Sequence, residues 1–122
     1  MLKNTNSDEK RNFERVFLNK PVKFASEGKC WKTEMLDVSM KGILVKKPAD
    51  YNYKKGVKVH VEIKLGEIER IRMNAHTSHC EEGRMGLTWD HIDSESFAHL
   101  RRLLELNIGD ADMIKRELGE LI

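Results

Sequence analysis

Cysteine is scarce in this 122-residue chain, and Cys30 and Cys80 have no CxxC spacing. That excludes a disulfide framework and a structural zinc site. Long apolar runs are missing too, and Asn4, Asn6, Ser7, Asp8 and Glu9 occupy the N-terminus. Neither a membrane span nor a secretory signal is therefore expected, and the expected location is the cytoplasm. Aromatics make up only 7%, the net charge is only +2, and no RNP-like motif is present. These argue against a DNA- or RNA-binding protein, a small RNA-binding barrel included. No Gly-rich phosphate loop, internal repeat or low-complexity segment occurs.

Metal and nucleophile chemistry also lack a basis. His76, His79 and Cys80 are close in sequence. In a regular strand, however, His76 and Cys80 share a face and His79 points opposite, so the three do not converge on a metal. Cys80 has no Cys-His-Asn or Cys-His-Asp arrangement around it. The expectation is a binding protein rather than an enzyme, with no catalytic residue, metal or cofactor.

What remains suits one domain, 39% hydrophobic and long enough to bury a core. Residues 1–9 lack apolar periodicity and read as a flexible N-terminal tail; residues 10–122 form the domain. Charge is uneven, with 11 Lys/Arg against 6 Asp/Glu in residues 1–47, a net of +5, and 11 against 14 in residues 48–122, a net of −3. The basic half is the place to look for an anionic ligand.

Val16 to Ser26 reads as a strand, irregular or at an edge near Pro21, and Glu27-Gly28-Lys29 turns it back. Trp31, Thr33 and Met35 alternate with polar residues, but Leu36 and Val38 take the other parity, which predicts a bulge. Ile43-Leu44-Val45 reads as a largely buried strand. Val57 to Leu65 alternates without a break, and Gly66-Glu67 suits a two-residue hairpin turn. The return strand carries Ile71, Met73, Ala75 and Thr77 on one face, and after Glu81-Glu82-Gly83 a last strand alternates through Met85, Leu87 and Trp89. About six hairpin-linked strands with one apolar face favour a small antiparallel β-barrel, which removes exposed edges. Trp31 and Trp89 read as packing residues rather than stacking platforms.

The period then changes. Asp93 or Ser94 caps a helix carrying Phe97, Leu100, Leu103, Leu104 and Ile108, with Gly109 as its stop. Asp110 begins a second helix with Ile114, Leu118, Leu121 and Ile122 on one face.

Two short patterns carry chemistry. Asp37-Val38-Ser39-Met40-Lys41-Gly42 places hydrogen-bonding side chains and a permissive glycine on one turn between strands, an arrangement that also serves ordinary turns. Arg11 and Arg15 are four residues apart, able to flank one ligand or to form a solvated basic segment.

Together, Arg11-x-x-x-Arg15 followed by Asp37-x-Ser39-x-x-Gly42 within a six-strand pattern resembles the PilZ domain, the bacterial receptor for cyclic di-GMP. The tail from His99 to Asp110 is similar to that of stand-alone, single-domain members, so the resemblance spans nearly the whole chain. It implies a mainly β fold, a six-stranded PilZ-like barrel with one or two C-terminal helices. It also implies that Arg11, Arg15, Asp37, Ser39 and Gly42 bind cyclic di-GMP, and that the N-terminus changes conformation to signal to a downstream protein. Two positions depart from the family pattern: Lys10 stands where many members have a third arginine, and His79 where single-domain relatives can have an aromatic. Both are carried as further candidate ligand residues. A monomer is expected. The alternative is a PilZ-fold protein-interaction adaptor with weak or no nucleotide binding.

Overall fold

The computed structural model describes residues 15–108, so Lys10, Arg11, the tail over residues 1–9 and the second helix expected from Asp110 lie outside the described part. Six antiparallel strands form the described domain: β1 (Val16–Ser26), β2 (Lys29–Val38), β3 (Gly42–Lys46), β4 (Lys58–Lys64), β5 (Arg70–Glu81) and β6 (Arg84–Ile92). They close into a barrel in the order β1-β2-β3-β6-β5-β4, as expected. One helix follows, α1 (Ser94–Ile108), and among the described residues no helix is long and apolar enough to cross a membrane.

Alternation decides which residues enter the barrel. On β4, Val59, Val61 and Ile63 are buried, and on β5 Ile71, Met73, Ala75 and Thr77 join them. Phe24 and Met35 are the largest fully buried side chains from β1 and β2. Trp31 stacks on Phe24 at 5.3 Å between ring centroids and meets the edge of Tyr51 at 4.8 Å, so it packs rather than stands free. Trp89 is half-buried against the same core. Pro21 sits where its missing N–H matters least, because pairing of β1 with β4 begins only at Val22.

Hairpin geometry follows local sequence in two places and departs from it in a third. Glu27 (φ 54) and Gly28 (φ 79) form a two-residue turn with both central residues left-handed, and Glu82 (φ 55) and Gly83 (φ 77) repeat it. Such turns match the twist of the flanking strands. The expected two-residue turn at Gly66-Glu67 is instead a five-residue loop over Leu65 to Glu69, closed by Leu65 N donating to Glu69 O at 3.1 Å. Gly66 is not left-handed, as that turn type would require. The Arg70 guanidinium holds the longer loop by donating to the carbonyls of Gly66, Glu67 and Glu69 at 2.9, 3.3 and 3.0 Å. The run Ile43-Leu44-Val45 is also not buried throughout: Ile43 and Val45 face the core, whereas Leu44 is half-buried on the outward side of the barrel wall.

Register shifts mark the bulges. Met35 pairs with Val45 and Asp37 with Leu44, so Leu36 is the extra residue, at the position its parity change predicts. On β5, Thr77 pairs with Leu87 and His79 with Gly86, leaving Ser78 extra. This second bulge corrects the expected facing of His79 and Cys80: His79 is exposed and Cys80 packs against the core. On β6, Asp90 is extra between Trp89 and His91, and its carboxylate meets His76 Nδ1 at 2.7 Å and Lys58 Nζ at 3.7 Å.

Asp93 is the helix cap. Its carboxylate accepts from Ser96 N at 2.8 Å, and its carbonyl accepts from Phe97 N at 2.8 Å. Buried Ser96 then accepts from Arg72 N at 2.8 Å, tying α1 to β5. The Ser96 backbone N–H, with further help from the Ser96 hydroxyl and Arg72, holds the Asp93 carboxyl below its ordinary value. A lowered folded-state value means stability that is present above the unfolded Asp range near 3.8 and lost as pH falls through the lower folded value. Asp93→Ala is therefore expected to lower the thermal midpoint at neutral pH. Its difference from the unmodified protein should shrink on acidification below pH 3.8, as calorimetry across pH can check.

Candidate functional site: a cleft across four strands

An open cleft of about 350 Å³ lies on the outward side of the barrel where β2, β3, β6 and β5 run side by side. Arg15, Asp37, Ser39, Gly42 and His79 all line it, with Lys41, Leu44, Ser78, Gly86 and Thr88. Five of the seven residues singled out in the sequence are thus gathered in one place. Lys10 and Arg11 lie outside the described residues.

The Leu36 bulge brings Asp37 to the cleft. Its Oδ2 accepts from Arg15 Nη2 at 2.9 Å, and the two side chains differ sharply in exposure, 5% for Asp37 against 56% for Arg15. A buried carboxylate thus anchors a guanidinium on a side chain that is more than half exposed. Charge-assisted bonds of this kind are about twice as strong as neutral ones.

The turn after Asp37 is closed by its own hydrogen bonds. Ser39 N donates to Gly42 O at 2.9 Å, and Ser39 Oγ accepts from Lys41 N at 3.1 Å. Met40 plugs the core from this turn, and Trp89 N donates to Lys41 O at 2.9 Å, binding the turn to β6. Gly42 is needed for a reason other than a left-handed turn. A Cβ there would strike the Leu87 carbonyl oxygen on β6, so glycine is the residue that lets β3 pair so closely.

The opposite wall is built by the Ser78 bulge. Ser78 Oγ donates to Gly86 O at 3.0 Å, and the His79 ring lies across Gly86, where a Cβ would overlap ring atoms. Gly86 is therefore the seat of His79. It was missed in the sequence, although a glycine inside an alternating strand is the signal for a close approach. Thr88, paired with Gly42, lines the cleft between the two walls. Chemically the cleft offers a fixed guanidinium, hydroxyls and an imidazole face, a set suited to a ligand that is both anionic and planar.

Solved structures of similar shape come from several bacteria. The Bacillus subtilis inhibitor of motility MotI/DgrA superposes with a TM-score of 0.67 at 18% identity over 88% of this chain, which spans about half (51%) of that longer protein. The PilZ domain of Escherichia coli YcgR, solved with c-di-GMP, gives 0.63 at 14% identity, covering 90% of this chain and 97% of that one. The PilZ domain of CeSA from a cellulose-synthesizing bacterium gives 0.61 at 19% identity, covering 79% and 96%. These are likenesses of fold. The PilZ domain family model matches residues 9–106, most of the chain and the whole barrel, and the protein belongs to the PilZ domain family.

Proposed function

We propose that this protein is a bacterial receptor for cyclic di-GMP and that the dinucleotide binds in the cleft between Arg15 and His79. The observation that carries the reading is the Arg15–Asp37 pair set beside Ser39, Gly42 and His79 in one open cleft. Two structures of similar fold, the PilZ domain of Escherichia coli YcgR and the longer Borreliella burgdorferi PlzA protein, were solved with c-di-GMP.

The ligand's chemistry fits these groups. Its two phosphodiesters each carry one negative charge, and its two guanines offer O6 and N7 as acceptors and flat faces for stacking. Arg15, oriented by Asp37, meets a phosphate or the O6/N7 edge with its planar fork. Ser39 supplies a hydroxyl and the His79 ring a face for a base. Arg11 completes the grip from the segment before β1, and Lys10 adds charge without the fork. Gly42 acts by keeping β3 against β6, so that the turn holds its shape.

Binding then orders the segment around Arg11 against the barrel. Fixing backbone costs roughly 1–2 kcal/mol per residue, which several charge-assisted bonds must offset. The ordered segment presents a changed surface to a downstream protein partner. Hydrogen exchange of residues 1–15 should slow when cyclic di-GMP is added; equal exchange with and without it would remove this step.

A second reading, an adaptor with weak or no nucleotide binding, draws on the pairing of the cleft's own groups: Asp37 Oδ2 already accepts from Arg15, and Ser39 Oγ from Lys41 N. Isothermal titration with cyclic di-GMP, GTP and a short RNA separates the readings. Saturable binding of cyclic di-GMP alone at micromolar concentration is expected, and no binding of any of the three leaves the adaptor.

A further inference from the structure

We propose that Phe17 supplies a second stacking face for cyclic di-GMP, at the opposite end of the cleft from His79, and that the two rings take the two guanines. The inference rests on the cyclic di-GMP reading above and deepens it by naming what selects a ligand with two bases.

Strand register carries it. Phe17 on β1 pairs with Asp37 on β2, Asp37 with Leu44 on β3, Leu44 with Gly86 on β6, and Gly86 with His79 on β5. Residues directly opposite in antiparallel strands share a face, with Cβ atoms about 5 Å apart, so these five form one row across the outer wall of the barrel. Four of them line the cleft, from His79 through Gly86 and Leu44 to Asp37. Phe17 is the fifth, on the rim just beyond Asp37. Arg15, two residues earlier, bonds the same Asp37, so an aromatic ring and a guanidinium stand beside one carboxylate.

Phe17 is 82% exposed, whereas every other described aromatic is buried or half-buried. Among the described residues no other ring contacts it, while Phe24, Trp31 and Tyr51 pack on one another in the core. An open ring next to a cation is the pairing that nucleotide-binding surfaces use, the ring for the face of a base and the cation for phosphate.

Spacing divides the task between the two rings. Adjacent strands lie about 4.8 Å apart, so the four steps of the row set the Phe17 and His79 backbones roughly 19 Å apart along the wall. The His79 ring lies across Gly86, which brings it about one step nearer. A single guanine is too short to touch both rings. Cyclic di-GMP carries its bases at opposite ends of the phosphate ring, so each can meet one aromatic face with Arg15 in reach of a phosphate.

Titration calorimetry with cyclic di-GMP on the full chain tests this. Phe17→Ala and Phe17→Leu should each weaken binding at least about tenfold, as the loss of one base–aromatic stack does, and leave the thermal midpoint as it was because the ring is exposed. Phe17→Trp should keep the affinity, and its extra emission over the unmodified protein should be quenched as the ligand saturates. Full affinity in Phe17→Ala, or unquenched extra emission in Phe17→Trp, would overturn the proposal and leave the receptor reading standing, provided the unmodified protein binds. No binding by the unmodified protein would overturn both.

Discussion

Arg15→Ala is expected to weaken cyclic di-GMP binding at least about a hundredfold while costing the fold about 1 kcal/mol or less. Each hydrogen bond to a charged group contributes about 1.5–3 kcal/mol, and a guanidinium fork makes two, so losing both crosses two decades of affinity. The stability cost is small because the Arg15 side chain is 56% exposed, and solvent screens most of what the pair with Asp37 contributes. Removing the side chain also admits water from the open cleft to the Asp37 carboxylate, which limits the penalty for leaving it alone. Arg15→Lys keeps the charge and loses the fork, so about a tenfold loss is expected. Titration calorimetry beside thermal unfolding separates the two effects: an affinity loss in Arg15→Ala that merely tracks a fall in thermal midpoint would contradict this division.

Gly42→Ala has the opposite signature, with stability and binding failing together. The added Cβ meets the backbone oxygen of Leu87, and a strand backbone within a closed barrel cannot yield as a side chain can. The expected cost is about 3 kcal/mol, at the upper end for overpacking, which in a domain of this size lowers the thermal midpoint by more than about 10 °C. Any displacement of β3 also moves the Ser39 turn, which Gly42 O closes. Gly66→Ala is the control: its Cβ would meet only the Glu69 carboxylate at 2.9 Å, the end of a flexible side chain, and a change within about 0.5 kcal/mol is expected. A Gly42→Ala protein as stable as the original would show that β3 and β6 are not held as closely as described.

The barrel was legible because apolar alternation survives in almost every strand, and the Leu36 bulge was legible for the same reason. There, buried residues change parity between Met35 and Val38, so the extra residue leaves a trace in the pattern. The Ser78 bulge leaves none, because it falls in the polar run His76-Thr77-Ser78-His79, where no apolar residue reports which way the strand faces. That is why His79 was assigned the wrong face and Gly86 was overlooked. The β4–β5 loop escaped for a related reason: Gly66-Glu67 carries the signature of a tight turn, but Arg70, a few residues on, binds three carbonyls and stabilises a wider one. Of the site, the turn and the arginines could be read as motifs. Their physical link, the ion pair of Arg15 with buried Asp37, joins residues 22 apart and depends on the pairing of β1 with β2.

Several other clefts mark the barrel, among them one of about 460 Å³ whose lining includes Lys58, His60, Asn74, Asp90 and His91. The most direct test of the central claim is therefore where the ligand lands. Backbone amide chemical shifts of the full chain, followed as cyclic di-GMP is added, should change most at Arg15, over Asp37 to Gly42, and over Ser78 to Gly86. Saturating changes centred on the Lys58–His60 cleft, or none at Asp37 to Gly42, would contradict the account.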